Sequence, residues 1–355
     1  MRPTIIPIRT YAAEPNPQPP AISRALHLAD QMRARIVGQT DAIDAIVPYV
    51  ELYEAGLSPE GRPVGVFLLL GPTGTGKTRT VEALAEAIHG SERHVLRVDC
   101  GEFQLEHETA KLIGAPPGYL GHRETQPMIS QQKLNAVQSD HSSLSIVLFD
   151  EVEKAAPSLG RLLLGVLDKA TLKLGDNSNV NFERSLIFLT SNLGASEMSR
   201  ELTDRIGFAA NLDTPADPAR LHAIGLSAVR RRFSPEFVNR IDRTLTYHPL
   251  DSAAIQEILQ LQLVSLNNLL ADRLGATAFQ LTLSLAANRF LIERGASPEY
   301  GARELKRTIH RHIIQPIAQL VLRRLTVGER EIRIEHHPGA GTLSFYSTDK
   351  LPLAA

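Results

Sequence analysis

The sequence predicts an α/β protein: a parallel sheet flanked by helices, followed by a smaller, mainly helical α+β C-terminal domain. Three observations predict it. Four short apolar runs, VGVFLLL (64–70), HVLRVDC (94–100), LSIVLFD (144–150) and SLIFLTS (185–191), have strand length and are rich in β-branched and aromatic residues. Helical patterns fall between them, as in KTRTVEALAEAIHG. Apolar strands alternating with helices bury both faces of a parallel sheet. After His248 the pattern changes to long amphipathic helices with only short strands.

In chain order, residues 1–22 read as a proline-rich arm. Residues 23–247 read as the large α/β domain. Its first helical stretch, from about Ile22 to Leu57, is interrupted at RIVGQ, where Gly38 marks a turn. Residues 248–347 read as the small domain. Its first long helix lies in PLDSAAIQEILQLQLVSLNNLLADRLG, with Asp251 as N-cap and Gly275 as stop. A strand in FQLTLS follows, then a helix near 285–294, a long helix from Ala302 to Leu325, and strands in EIRIEHH and TLSFY. Residues 348–355 read as a tail.

Composition excludes several function classes. The chain has 355 residues, 43% hydrophobic and 22% charged, as expected of a globular protein. Thirty-eight basic against 39 acidic residues leave a net charge of −1, so no general attraction to nucleic acid or anionic membrane is expected. The basic runs Arg230–Arg232 and Arg323–Arg324 are short and read as solvated or inter-subunit faces. Cys100 is the only cysteine, so no intrachain disulfide forms, and a reducing, cytoplasmic location is expected. The N-terminus has no continuous apolar run of a secretory signal. Arg2 and Arg9 with no acid before Glu14 suit a transit segment, but Pro3 and Pro7 oppose its helix. The longest apolar run, VGVFLLLG, is too short to span a bilayer. No H-E-x-x-H or C-x-x-C spacing is present, and no G-x-S-x-G, so neither a transition-metal site nor an intrinsic protease is expected.

The phosphate chemistry is explicit. GPTGTGKT, Gly71–Pro72–Thr73–Gly74–Thr75–Gly76–Lys77–Thr78, satisfies G-x-x-x-x-G-K-[ST] in full and lies between an apolar strand and a helix. Glycines let backbone N–H groups curl around phosphate oxygens, and the helix presents its positive end. Lys77 would neutralise the β/γ-phosphates, and the Thr78 hydroxyl would ligate Mg²⁺. LSIVLFDE supplies the partner: Asp150 for the Mg²⁺ shell and Glu151 as general base, at the strand edge where open α/β sheets bind ligands. Asn192, or Thr190 beside it in LTSN, would orient the attacking water. The plainer alternative is a polar strand end capping the helix that begins in SNLGASEM.

These residues resemble the Clp family of AAA+ ATPases. The marks are RIVGQTDAI, GPTGTGKT, KLIGAPPGYLG, VLFDEVEKA, LTSNLG, FSPEFVNRID and YGARELKR, in the family's order, from Ile36 to Arg324. The nearest likeness is the second ATPase module of the two-module Clp chaperones, here read as a stand-alone module. The resemblance implies a P-loop AAA+ fold and ATP hydrolysis with Mg. It also implies a homohexameric ring that threads unfolded or aggregated protein substrates. Val37 and Gly38 would line the adenine pocket. Arg240 resembles the arginine finger that reaches a neighbour's γ-phosphate, and Arg303 the sensor for its own subunit's nucleotide. Taken without the family, both read as surface salt-bridge partners. Gly118, Tyr119, Leu120 and Gly121 resemble the channel loop that grips polypeptide through an aromatic side chain. The alternative is a tight turn whose tyrosine packs on its own domain. Beyond it, Gln126 and Pro127 stand where the family carries paired glycines. LKLGDNSNVNF reads as a polar hairpin, either a second channel loop or an ordinary turn. Ile206-Gly207-Phe208 resembles the apolar-Gly-apolar loop tip that docks on a Clp-type peptidase; the alternative is a local turn packed inward. A rival reading of the whole chain is a nucleotide-switched AAA+ scaffold without threading activity.

Overall fold

A computed structural model describes residues 27–114, 127–207, 218–295, 301–323, 325–326, 328–347 and 352–353. Channel-loop residues Gly118, Tyr119, Leu120 and Gly121 lie outside the described residues, as does Phe208.

The large domain is organised on a five-stranded parallel sheet in the order β2-β3-β6-β1-β7. The strands are β1 (Gly65–Leu70), β2 (Leu96–Asp99), β3 (Ser145–Asp150), β6 (Ser185–Ser191) and β7 (Arg243–Thr246). Every residue of β1 and β6 is buried, and all of β3 except Asp150. Alternate residues feed opposite layers, as the pleat requires. Val66, Leu68, Val147, Phe149, Ile187 and Leu189 enter one core with the helix Pro157–Lys169. Phe67, Leu69, Ile146, Leu148, Leu186 and Phe188 enter the other, under the helices Leu28–Arg33, Thr40–Glu54 and Lys77–His89. This is the doubly covered parallel sheet that the apolar runs predict.

The fifth strand, β7, is not among the four predicted runs. It reads Arg-Thr-Leu-Thr, has no fully buried residue and pairs only with β1. An edge strand meets the core on one side and needs little apolar character. Its place in the sheet is decided by Asp242, which accepts from the Val66 N–H at 2.8 Å and donates its own N–H to the Val66 carbonyl.

Between β3 and β6 the helix Pro157–Lys169 ends at Ala170 in the left-handed region, and an antiparallel hairpin follows, β4 (Thr171–Lys173) and β5 (Asn179–Asn181). The predicted hairpin is therefore present. The Gly175 N–H at its tip donates to the carbonyl of Ile113 at 2.8 Å. Ile113 is the last residue of the helix Thr109–Ile113. The helix Ala195–Gly207 runs on through the backbone of Ile206 and Gly207, where the sequence predicts a loop. Met198, Leu202 and Ile206 are spaced four apart, which continues a helical repeat.

The small domain begins with the helix Ser252–Leu274. Asp251 caps it as predicted, its carboxylate accepting from the Ala254 N–H at 2.7 Å, and Gly275 (φ 55°) ends it. Four strands, β8 (Gln280–Leu283), β9 (Glu331–Glu335), β10 (Ser344–Tyr346) and β11 (Pro352–Leu353), form a sheet in the order β11-β10-β9-β8. Helices Leu285–Gly295 and Ala302–Ile309 pack on it through Leu291, Leu305 and Ile309, around Ile332 and Ile334. The predicted long helix is interrupted by a π turn over His310–Ile314 before it resumes at Gln315–Leu322. Pro316 has no N–H to give the carbonyl four residues back, so the backbone adjusts there.

His89 closes the helix after the phosphate loop. It is 5% exposed, its Nδ1 lies 2.9 Å from Ser139 Oγ, and it stacks on His94. Burial and the neighbouring His94 push its pKa from 6.5 down to about 4. The unfolded chain then binds the proton more readily than the folded one between those values. Stability is full above pH 6.5 and falls by about 3 kcal/mol as the pH drops toward 4. Urea unfolding of His89→Gln against the parent across pH 4–7 checks this: the variant's slope is flatter.

Candidate functional site

At the carboxyl end of β1 the chain turns too sharply for a side chain. Gly71 has φ 141°, and a Cβ there would lie 2.5 Å from the Tyr247 carbonyl oxygen. Gly74 (φ 79°) and Gly76 (φ 103°) complete the curl, and Gly76 caps the helix Lys77–His89. The Thr75 hydroxyl closes the loop on itself by donating to the Pro72 carbonyl at 2.9 Å. Lys77, 8% exposed, folds back and donates to the carbonyls of Gly71 and Pro72 and to Asn192 Oδ1, the last at 2.9 Å. All three acceptors are neutral. Burial pulls the Lys77 pKa from 10.5 to about 8; Glu153, Asp150 and Glu151 oppose the fall and Arg303 adds to it. A desolvated ammonium held only by dipoles beside orphan helix N–H groups suits an anion, and phosphate oxygens fit this cradle.

The acids arrive on neighbouring strand ends. Asp150 ends β3 and accepts from the Thr190 hydroxyl of β6. Glu151 follows in the left-handed region (φ 55°), costly for a side-chain-bearing residue, and its N–H donates to Thr190 Oγ1 at 2.9 Å. Its carboxylate accepts from Asn192 Nδ2 at 3.1 Å on one oxygen and pairs with Lys154 through the other. One amide side chain, Asn192, thus joins Lys77 to Glu151. Its own N–H donates to Glu153 Oε1 at 3.0 Å. Thr190 holds both acidic residues, so the two candidates named at this strand end have separate tasks.

A cavity of about 920 Å³ opens above these groups, lined by Val37, Thr73 to Thr78, Asp150, Glu151, Asn192 and Arg303, with Leu250 and Ile258 on the small-domain side. Gly38 (φ 71°) stands behind Val37, against the side chains of Leu250 and Ala254. Arg303 reaches the cavity because the small domain is pinned to the phosphate loop. The Ala302 N–H donates to the Gly74 carbonyl at 3.1 Å, and a Cβ on Gly301 (φ 50°) would lie 2.7 Å from that same oxygen. Arg240 does not line this cavity; its guanidinium pairs with Asp168 on the helix Pro157–Lys169. The structure therefore assembles the predicted loop, strand acids, Asn192 and Arg303, and leaves Arg240 apart.

Sequence reasoning missed Gln39. It is 5% exposed, donates to the carbonyls of Thr75 (3.2 Å) and His248 (3.0 Å), and so ties the phosphate loop to the start of the small domain. It also missed Glu153 and Lys154. The only available signal was position, one residue after Gly38 and two or three after Glu151.

The comparisons with known proteins agree with this geometry. A family model described as "AAA domain (Cdc48 subfamily)" matches residues 62–244, and "C-terminal, D2-small domain, of ClpB protein" matches 250–334. The chain is 37% identical over 299 residues to the chaperone protein ClpB of Rhodopseudomonas palustris, covering 84% of this chain and 32% of that protein. It is 34% identical over 313 residues to the ATP-binding subunit ClpC of the ATP-dependent Clp protease of Staphylococcus saprophyticus, covering 88% and 36%. The Saccharomyces cerevisiae Hsp104–ADP complex superposes with a TM-score of 0.75 at 27% identity, covering 90% of this chain and 52% of that one. Hsp104 with ATPγS and casein superposes at 0.73 and 28% identity, covering 89% and 50%. The fold and site define a P-loop nucleoside-triphosphatase module. The chain belongs to the AAA domain family, with the small domain of the ClpB type after it. It spans about a third of the length of the curated relatives it matches.

Two outcomes follow from the contacts. Asn192→Ala unhooks Lys77 and Glu151 together, so fluorescent-nucleotide binding persists while steady-state turnover falls at least about ten-fold. Gly301→Ala places a methyl group against the Gly74 carbonyl at a left-handed position, and nucleotide affinity measured by titration weakens by about ten-fold.

Proposed function

We propose that the module hydrolyses ATP and converts the cycle into pulling on unfolded or aggregated polypeptide, as a subunit of a homohexameric, cytoplasmic ring. The observation that carries this reading is the Lys77–Asn192–Glu151 chain, which puts a phosphate-binding cation and a base on one amide. Backbone amides of Gly74 to Thr78 and the Lys77 ammonium hold the phosphates. Thr78 and Asp150 are the residues that would hold Mg²⁺, whose positive charge offsets the charge that develops on the phosphate oxygens. Asn192 and Glu151 position a water; as its oxygen bonds to the γ-phosphorus, Glu151 takes the proton and the bond to the ADP oxygen breaks. Arg303 contacts the nucleotide of its own subunit, and Arg240 completes the site of the next one, since a guanidinium forks onto phosphate oxygens and stays charged.

Support for traction comes from relatives. ClpB is a chaperone, and Hsp104 is recorded with casein. On this reading Tyr119, flanked by Gly118, Leu120 and Gly121, grips the polypeptide, and the hairpin around Gly175–Asn179 is a second channel contact. Ile206-Gly207-Phe208 is the candidate docking tip for a Clp-type peptidase. Among the described residues no helix is long and apolar enough to cross a membrane.

The deciding experiment is ATPase and unfolding of a tagged substrate, with and without casein. Glu151→Gln binds ATP and assembles but does not turn over. Tyr119→Ala retains ATPase and loses unfolding; unimpaired unfolding by that variant removes the grip. Turnover that ignores casein favours the nucleotide-switched scaffold instead.

A further inference from the structure

We infer that Asp168 is the positioning residue for Arg240, and that it links that arginine to the β4–β5 hairpin. The inference rests on the proposed role of Arg240 toward a neighbouring subunit's nucleotide.

The backbone of Arg240 is held on both sides. Before it, Ser234 caps a short helix and Phe237, 2% exposed, enters the core. After it, Asp242 is bonded to Val66 of β1 in both directions. The side chain is the part left to fix. A long guanidinium side chain that is one-third exposed samples many rotamers unless something holds it. Asp168 does so through Nη1. One carboxylate oxygen on one terminal nitrogen leaves Nη2 free of that contact for a phosphate oxygen. Arg240 and Asp168 are 72 residues apart in sequence, so only the tertiary fold brings them together.

The place of Asp168 matters as much as its charge. It lies two residues before Ala170, where the helix Pro157–Lys169 turns into the β4–β5 hairpin. The Phe182 N–H donates to the Ala170 carbonyl at 2.7 Å, which closes the hairpin base. At the tip, the Gly175 N–H holds the Ile113 carbonyl at 2.8 Å. Displacement of Arg240 toward a phosphate pulls on the last turn of that helix and is felt at Gly175.

Asp168→Ala tests this in the full chain. ATP binding and KM stay unchanged and kcat falls about ten-fold, while Asp168→Asn, which keeps an acceptor oxygen, recovers at least about a third of the turnover. Mixed rings of differently tagged Asp168→Ala and Glu151→Gln subunits, isolated by tandem purification, regain turnover, because the second subunit lends its arginine to the intact site of the first. Amide exchange at Gly175 changes with ATP in the parent and does not in Asp168→Ala. Mixed rings that stay inactive place Asp168 on its own subunit's site and overturn the proposal. So does a normal kcat in Asp168→Ala when Arg240→Ala is inactive. Normal turnover in Arg240→Ala, or no mixed ring at all, defeats instead the underlying role of Arg240. An unaltered ATP response at Gly175 in Asp168→Ala overturns the link to the hairpin.

Discussion

The site depends on one buried ammonium. Lys77 has given up water for two backbone carbonyls and one side-chain amide, and none of these returns a full counter-charge. Such a group is expensive to leave in a folded interior. The acids around it, Glu153 foremost, keep its pKa near 8 rather than lower. The fold tolerates this arrangement because the three glycines of the loop take positive φ angles that side-chain-bearing residues rarely adopt, and a Cβ at 71 would strike the Tyr247 carbonyl. The result is a cation that gains more from a phosphate than from any partner in its own chain.

The same economy of contacts joins the two domains. Gln39 holds Thr75 of the phosphate loop and His248 at the start of the small domain, and Gly301–Ala302 rests on Gly74. Each of these two links has one end on the phosphate loop. The loop and the small domain are therefore joined by the Gln39 side chain and by the Ala302 N–H.

Much of this was legible in the residues. Three apolar runs gave fully or almost fully buried central strands, because a strand covered on both faces must be apolar throughout. The phosphate loop was legible because its glycines, lysine and threonine are neighbours in sequence. β7 was not, since an edge strand of Arg, Thr, Leu and Thr carries no apolar signature. The π turn was not, since its cause, Pro316, lies two residues beyond it in an otherwise helical pattern.

By itself the sequence determined the alternation of strands and helices, the phosphate cradle and the identity of the acids at the strand ends. Each depends on residues adjacent in the chain or on a short repeat. Only the tertiary structure decided which side chains share the work: that Asn192 spans Lys77 and Glu151, that Gln39 reaches across 209 positions to His248, and that Arg240 leans on Asp168. These are contacts between residues far apart in the chain. They exist only once β1, β3 and β6 are stacked in register and the small domain is seated on Gly74.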